Sequence, residues 1–296
     1  MKTVTATRSQ QEIIKNWDTG LPPLVSICCI TFNHISYIKE AIEGFLMQET
    51  DFSFEIIIHD DASTDGTSDI KSIIQTENQF SKGGLINPRF VFPKTVGRYI
   101  SLCEGDDYWT DKEKLQKQVS FLEANSDYVI TYTDCQPFDD AGEVDVDFGG
   151  ARRDLESIEL KKATPIFTLT ACFRNVIKEI PRDMMAARFG DLVMWSLLGQ
   201  YGKGKYLSDI SPSAYRVHSG GVASLKGKKE KYQMRLVTNA SLLAYYMRLN
   251  DKELTRHFSS EVLRDSTQSL GLVGSVRTLL ILGVRRLCIW VKKVCE

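Results

Sequence analysis

The chain has 296 residues, 43% of them hydrophobic and 25% charged, so it can bury a sizeable core and is neither disordered nor collagen-like. Its 37 basic and 38 acidic side chains nearly cancel, which removes the electrostatic case for nucleic-acid binding. No apolar run reaches the ~18 residues of a membrane span, the first 18 residues hold no apolar signal-peptide core, and seven cysteines without a Cys-x-x-Cys pair read as reduced thiols.

Residues 1–21 are polar and irregular, an arm that ends before Pro22-Pro23. The apolar, β-rich run Leu24–Ile30 predicts a strand covered on both faces. Ile35, Ile38, Ile42, Phe45 and Leu46 then recur at helical spacing. Phe54–Ile58 predicts a second buried strand, which runs into the polar loop His59–Gly66 and an expected helix near 67–78. Arg98–Cys103 predicts a third, followed by Glu104-Gly105-Asp106-Asp107. Thr110 and Glu113 have capping-box spacing, which predicts a helix to about Asn125; Tyr128–Thr133 reads as the next strand. Residues 135–165 show no clear pattern. Residues 166–173 read as a strand, 191–202 as a helix, 204–217 as two short strands, and the chain from about 228 as helices. Strand alternating with helix from 24 to 134 predicts an α/β, doubly wound, mostly parallel sheet, with ligands at the carboxyl ends of its strands.

Two acidic clusters follow separate predicted strands: Asp60 and Asp61 after one, Glu104, Asp106 and Asp107 after the other. The topology brings both to one sheet edge. Carboxylates gathered in this way repel unless a cation lies among them, and hard divalent cations take oxygen ligands together with substrate phosphates. Asp65 and Asp111 read more simply as turn or cap residues.

The segments Val25-Ser26-Ile27, Thr31-Phe32-Asn33-His34, Glu55–Thr67 and Tyr99–Trp109, followed by Phe189-Gly190-Asp191 and Tyr215–Gly221, appear in one order. Together they resemble the family 2 glycosyltransferases over residues 22–222. The resemblance implies a GT-A fold, Rossmann-like with flanking helices, for 22–222, with 223–296 as a C-terminal helical extension. It implies a nucleotide-diphosphate sugar donor (a UDP-sugar first among them), a divalent cation (Mn²⁺ or Mg²⁺) and inversion at the anomeric carbon. The expected product is a hexosyl or N-acetylhexosaminyl unit on a glycan or lipid-linked acceptor, in bacterial surface polysaccharide synthesis. Carried over by position, Thr31, Phe32, Asn33, Asp61 and Asp106 bind the nucleotide, with Phe32 against the base and Asp61 recognising it. Asp106, Asp107 and His218 serve the metal, and Asp191 is the catalytic base. Asp191 also suits the N-cap of the 192–202 helix, and His218 a structural role.

Two features depart from the family. Glu104 stands where the first Asp of the family's D-x-D-D segment is expected. The stretch Gln75–Gly97 is shorter, lacks the Asn-x-Gly turn, and carries Pro88 and Pro93, which disfavour the expected helix. That stretch supports a second reading, a weakened or silent glycosyltransferase-like binding protein. A sugar-phosphate nucleotidyltransferase would show a glycine-rich loop where Thr31-Phe32-Asn33-His34 stands, and a dehydrogenase a Gly-x-Gly-x-x-Gly.

Over 277–294, at about 100° per residue, Arg277, Arg285, Arg286, Lys292 and Lys293 share one half of a helix, opposite an apolar half. Such a helix suits peripheral contact with an anionic membrane surface, and packing on the domain is the alternative. The expected location is the cytoplasm, with this helix at the inner face of the membrane. Lys226–Lys231 reads as a flap over the donor or as a solvated loop.

Overall fold

The computed structural model describes residues 8–18, 20–69, 73–82, 85–221 and 227–269. Strand β1 (Val25–Thr31) is buried almost throughout, as its apolar run requires. It pairs in parallel with β2 (Phe54–Asp60), Val25 opposite Phe54, and the short β3 (Ile73–Ile74) flanks β2. On its other side it pairs in parallel with β4 (Tyr99–Leu102), Val25 opposite Tyr99. The sheet is completed by β5 (Tyr128–Tyr132), β8 (Cys172–Arg174) and β9 (Lys203–Tyr206), in the order β3-β2-β1-β4-β8-β5-β9. Only β8 runs against its neighbours. The carboxyl ends of β1, β2 and β4 therefore lie side by side, which brings both acidic clusters to one edge.

A smaller sheet joins β6 (Cys135–Asp139), β7 (Gly142–Glu143) and β10 (Ser213–Arg216) in the order β10-β6-β7. The helices are α1 (Gln10–Ile13), α2 (Ile38–Leu46), α3 (Lys114–Ala124), α4 (Ser157–Lys161), α5 (Gly190–Leu198), α6 (Lys228–Arg248) and α7 over 252–269. Apolar side chains of α6 and α7, among them Leu242, Tyr246, Leu254 and Phe258, share one buried cluster with Trp195 of α5 and Phe173 of β8. Tyr246 and Phe258 stack at 5.6 Å, and the Tyr246 hydroxyl is 2.8 Å from Ser196 Oγ. Buried Trp109 and Trp195 each donate an indole N–H, to the carbonyls of Leu169 and Ile166. Five cysteines (Cys28, Cys29, Cys103, Cys135, Cys172) are free and buried.

Several expectations change. Among the described residues of the 67–78 stretch, a 3-10 turn, Thr67–Asp69, and the strand β3 stand where a helix was expected. α3 ends where expected but starts at Lys114. Thr110 does not cap it, because its hydroxyl donates to Pro212 O, while Asp111 Oδ1 accepts the Glu113 N–H instead. The strand expected over 166–173 is mostly a 3-10 turn, Thr168–Thr170, with only its end in β8. The prolines of 75–97 do not forbid helical turns: Asn87–Val91 and Phe92–Lys94 form consecutive ones, with Pro88 and Pro93 at first-turn positions where a missing N–H costs nothing. The basic stretch 277–294 and the start of the 226–231 stretch lie outside the described residues. Among the described residues, no helix is long and apolar enough to cross a membrane.

Candidate active site

The loops after β1 and β2 are laced together by side chains. Asn33 sits in the left-handed region (φ 56°), which Asn tolerates. Its Oδ1 accepts the Thr64 N–H at 2.8 Å, and its own N–H donates to Ser63 Oγ. Asp65 Oδ2 accepts the Ile35 N–H and Thr67 Oγ1 accepts the His34 N–H, each at 3.0 Å. Asp65 is thus a turn residue, as its context suggests.

The loop after β4 is held from both sides. The Gly105 N–H donates to Ile30 O at 2.9 Å. A Cβ on Gly105 would sit 2.8 Å from Thr31 Oγ1 and 3.0 Å from Ile38 Cδ1, so only glycine lets this loop cross the end of β1. On the far side Tyr108 and Ala214 exchange backbone hydrogen bonds, which lays β10 against the acidic loop. The Arg216 N–H then donates to Asp107 Oδ1 at 2.8 Å, and Arg216 Nε donates to Asp106 O at 2.9 Å. The Arg216 guanidinium also pairs with Glu40.

This lacing gathers His34, Asp106 and His218. Asp106 Oδ2 is 3.0 Å from His218 Nε2 and 3.6 Å from His34 Nε2, and one ligand atom from each residue falls within 4.8 Å of the others. Burial alone would raise the Asp106 carboxyl, but the hydrogen bond to His218 and the two imidazoles outweigh it and hold the group below its usual range. Burial lowers His34, which favours the neutral ligand form. Two nitrogens and an acidic carboxylate in this arrangement suit a divalent first-row cation.

A cavity of about 550 Å³ opens at this edge; its lining includes Thr31, Phe32, Asp61, Glu104, Asp106 and Asp191. Glu104 is raised to about 7, first by burial and then by the charge of Asp106. Asp107 is raised well above the usual range by burial and by its neighbours Asp106 and Glu104. Asp191 lies in the first turn of α5, whose N-cap is Phe189, so it is not the cap itself. Burial raises its carboxyl to about 6, while the positive end of the helix favours its ionised form.

Of the residues expected at the site, Thr31, Phe32, Asp61, Asp106, Asp107 and Asp191 all line the cavity. Asn33 does not: it is spent on tying the two loops. His218 reaches the site through Asp106. Asp107 stands beside the His34–Asp106–His218 group rather than in it, since one of its oxygens holds the β10 backbone. Asp61 accepts the Gln79 and Phe80 N–H groups at 2.7 and 3.0 Å. It thereby ties the short 75–97 stretch to the strand end, and Phe80, Leu85, Asn87 and Pro88 of that stretch wall the cavity. His34 is the member that sequence reasoning passed over. It lies within the Thr31–His34 motif, but its approach to Asp106 depends on the loop lacing.

The family described as glycosyl transferase family 2 matches residues 26–180. An uncharacterized protein of Mycobacterium tuberculosis is 32% identical over 213 residues, which is 67% of this chain; the chain spans only 60% of that relative's length. The Escherichia coli protein WfaP, a UDP-Glc:alpha-D-GlcNAc-diphosphoundecaprenol beta-1,3-glucosyltransferase, is 26% identical over 75% of this chain and 89% of its own. In fold, the chain is similar to the mannosyltransferase PcManGT of Pyrobaculum calidifontis, solved with GDP-Man and Mn²⁺. The TM-score is 0.55, with 14% identity over 93% of this chain and 81% of that one. The architecture is thus the GT-A type, with C-terminal helices added.

Proposed function

Since the chain belongs to glycosyl transferase family 2, we propose that it is a glycosyltransferase that moves a sugar from a UDP-sugar to a hydroxyl of a glycan or lipid-linked acceptor. In this reading transfer inverts the anomeric carbon, requires a divalent cation and serves bacterial polysaccharide synthesis. One observation carries the reading: His34, Asp106 and His218 converge at the wall of the cavity that Asp191 also lines. A leaving diphosphate and an attacking hydroxyl need two such poles, one for anionic charge and one for a proton.

His34 Nε2, Asp106 Oδ2 and His218 Nε2 are the atoms that would hold the cation, and a set with two imidazoles favours Mn²⁺ over Mg²⁺. When bound, the cation neutralises charge developing on the diphosphate. Phe32, 40% exposed on the cavity wall, offers its ring to the base. Asp61, anchored by two N–H groups, has lone pairs left for it. Asp191 takes the acceptor proton, and a carboxyl raised to about 6 is a better base near neutrality than an ordinary aspartate. WfaP, named for a UDP-sugar donor and a diphospholipid acceptor, supports the donor and acceptor classes, and PcManGT with Mn²⁺ supports the cation. Phe80, Leu85, Asn87 and Pro88 of the short stretch wall the cavity, which supports this reading over that of a silent relative.

Calorimetric titration of UDP, GDP and dTDP, each with and without Mn²⁺, tests the proposal. Micromolar, Mn²⁺-dependent binding of UDP is the expected result. Binding of none of the three removes the donor reading, and preference for GDP moves it to another sugar-nucleotide class.

A further inference from the structure

The five carboxylates that line the cavity are not its only charges. Arg188, Arg216 and Lys231 line it too. Arg216 is already committed to Glu40 and to the Asp106–Asp107 loop. Among the described residues, the side chains of Arg188 and Lys231 form no ion pair or hydrogen bond, and neither contributes to the shift of Asp191.

Both cations are placed by α6. The Thr238 hydroxyl accepts the N–H groups of Arg188 and Phe189, each at 3.0 Å, and itself donates to Met234 O. Thr238, Met234 and Lys231 are spaced i, i−4 and i−7, so they share one face of α6. Lys231 lies roughly 10 Å along that face from the clamp, at 1.5 Å per residue. Arg188 is three residues before Asp191, and Lys231 lies on the face of α6 that clamps the Arg188 backbone, so both cations reach the cavity from the segments around Asp191. In the proposed reading the donor diphosphate lies at the His34–Asp106–His218 group instead.

The wall around these cations is apolar. Met234, Phe189, Met194 and Leu85 line it, and Leu85 packs so closely on the Asp191 turn that a Cβ on Gly190 would lie 3.2 Å from its Cδ2. Two unneutralised cations over an apolar wall match an anionic head on an apolar carrier: the head gains charge-assisted hydrogen bonds and the carrier leaves water.

We infer that Arg188 and Lys231 form an acceptor subsite for a phosphate or diphosphate group borne on an apolar chain, distinct from the donor's diphosphate site. The inference rests on the reading of Asp191 as the base that faces the acceptor.

Dodecyl diphosphate is the probe, titrated into the full chain with UDP and Mn²⁺ present. The wild type is expected to bind it at least tenfold more tightly than inorganic pyrophosphate or the uncharged dodecyl maltoside. Arg188→Gln and Lys231→Gln each weaken it about tenfold or more, the effect of one charge-assisted hydrogen bond, and leave UDP affinity within twofold. Unchanged affinity in both variants overturns the subsite. So does a loss of UDP affinity, which would return the cations to the donor. Equal binding of dodecyl maltoside reduces the site to its apolar wall, and equal binding of pyrophosphate removes the carrier. If UDP fails to bind the wild type, the donor reading falls by itself, and the same variants with dodecyl diphosphate alone still decide the subsite.

Discussion

At the scale of single residues, the proposed reaction divides between Asp191 and the His34–Asp106–His218 group. Asp191→Asn keeps the volume and removes the proton acceptor. Turnover should fall by about 10²–10⁴-fold, the usual worth of a positioned base, while UDP affinity stays unchanged; steady-state kinetics beside calorimetry separates the two. The base acts only when ionised, and its carboxyl is raised to about 6. Turnover of the wild type should therefore rise with pH through an acid limb centred near 6, not near 4. A limb near 4 would remove Asp191 from the base role. His34→Ala deletes one proposed ligand without touching the strands, and should weaken Mn²⁺ at least about tenfold, read by the Mn²⁺ concentration that half-saturates UDP binding. Asp107→Asn keeps an oxygen for the Arg216 N–H and should cost less Mn²⁺ affinity than Asp106→Asn.

At the scale of elements, α6 is coupled to the site through one hydroxyl. Thr238→Val leaves the partly buried Arg188 and Phe189 N–H groups without their acceptor. A loss of about 2 kcal/mol in urea unfolding is expected, with a fall in turnover because the Asp191 turn loosens. Lys114 of α3 is wholly buried, donates to Gln118 and Thr170 O, and lies 4.6 Å over the Trp109 ring. Burial lowers it to about 8, against roughly 10.4 in the unfolded chain. Between those values the unfolded chain holds a proton that the folded one does not, so this lysine adds stability as pH rises from 8 to 10. Lys114→Met removes the effect, and the wild type should gain on the variant over that interval in parallel urea titrations. The elements were unequally legible in the sequence. β1, β2, β4 and β5 announced themselves because strands covered on both faces are continuous apolar runs. The 67–78 stretch misled because its apolar spacing is too short to separate a helix from a turn and a two-residue strand. Thr110 misled because a hydroxyl with a tertiary partner, Pro212 O, has no need to cap.

At the scale of the whole molecule, the site belongs to no single segment. Motifs from residue 31 to residue 218 meet at one edge because β1, β2 and β4 are neighbours and because the Tyr108–Ala214 pairing folds β10 back over the acidic loop. The sequence showed the members with familiar spacing, Asp61, Asp106 and Asp191. It hid His34, whose neighbour is 72 positions away, and it assigned Asn33 to a ligand although that side chain serves the loops. Nor is the boundary near 222 a seam in the packing, since α6 and α7 share the core of α5 and β8. A chain ending at residue 222 should expose Trp195 and its neighbours, and either aggregate or unfold at markedly lower urea than the full chain. The side-chain hydrogen of Gly105 is the spacer between the acidic loop and the end of β1 that leads to His34, so the bore of the gap between the two proposed ligands is set by the thinnest residue available. An alanine there would act as a shim. Its methyl would meet Thr31 Oγ1 at 2.8 Å, so the two loops would have to part, and the proposed cation ligands that they carry would part with them.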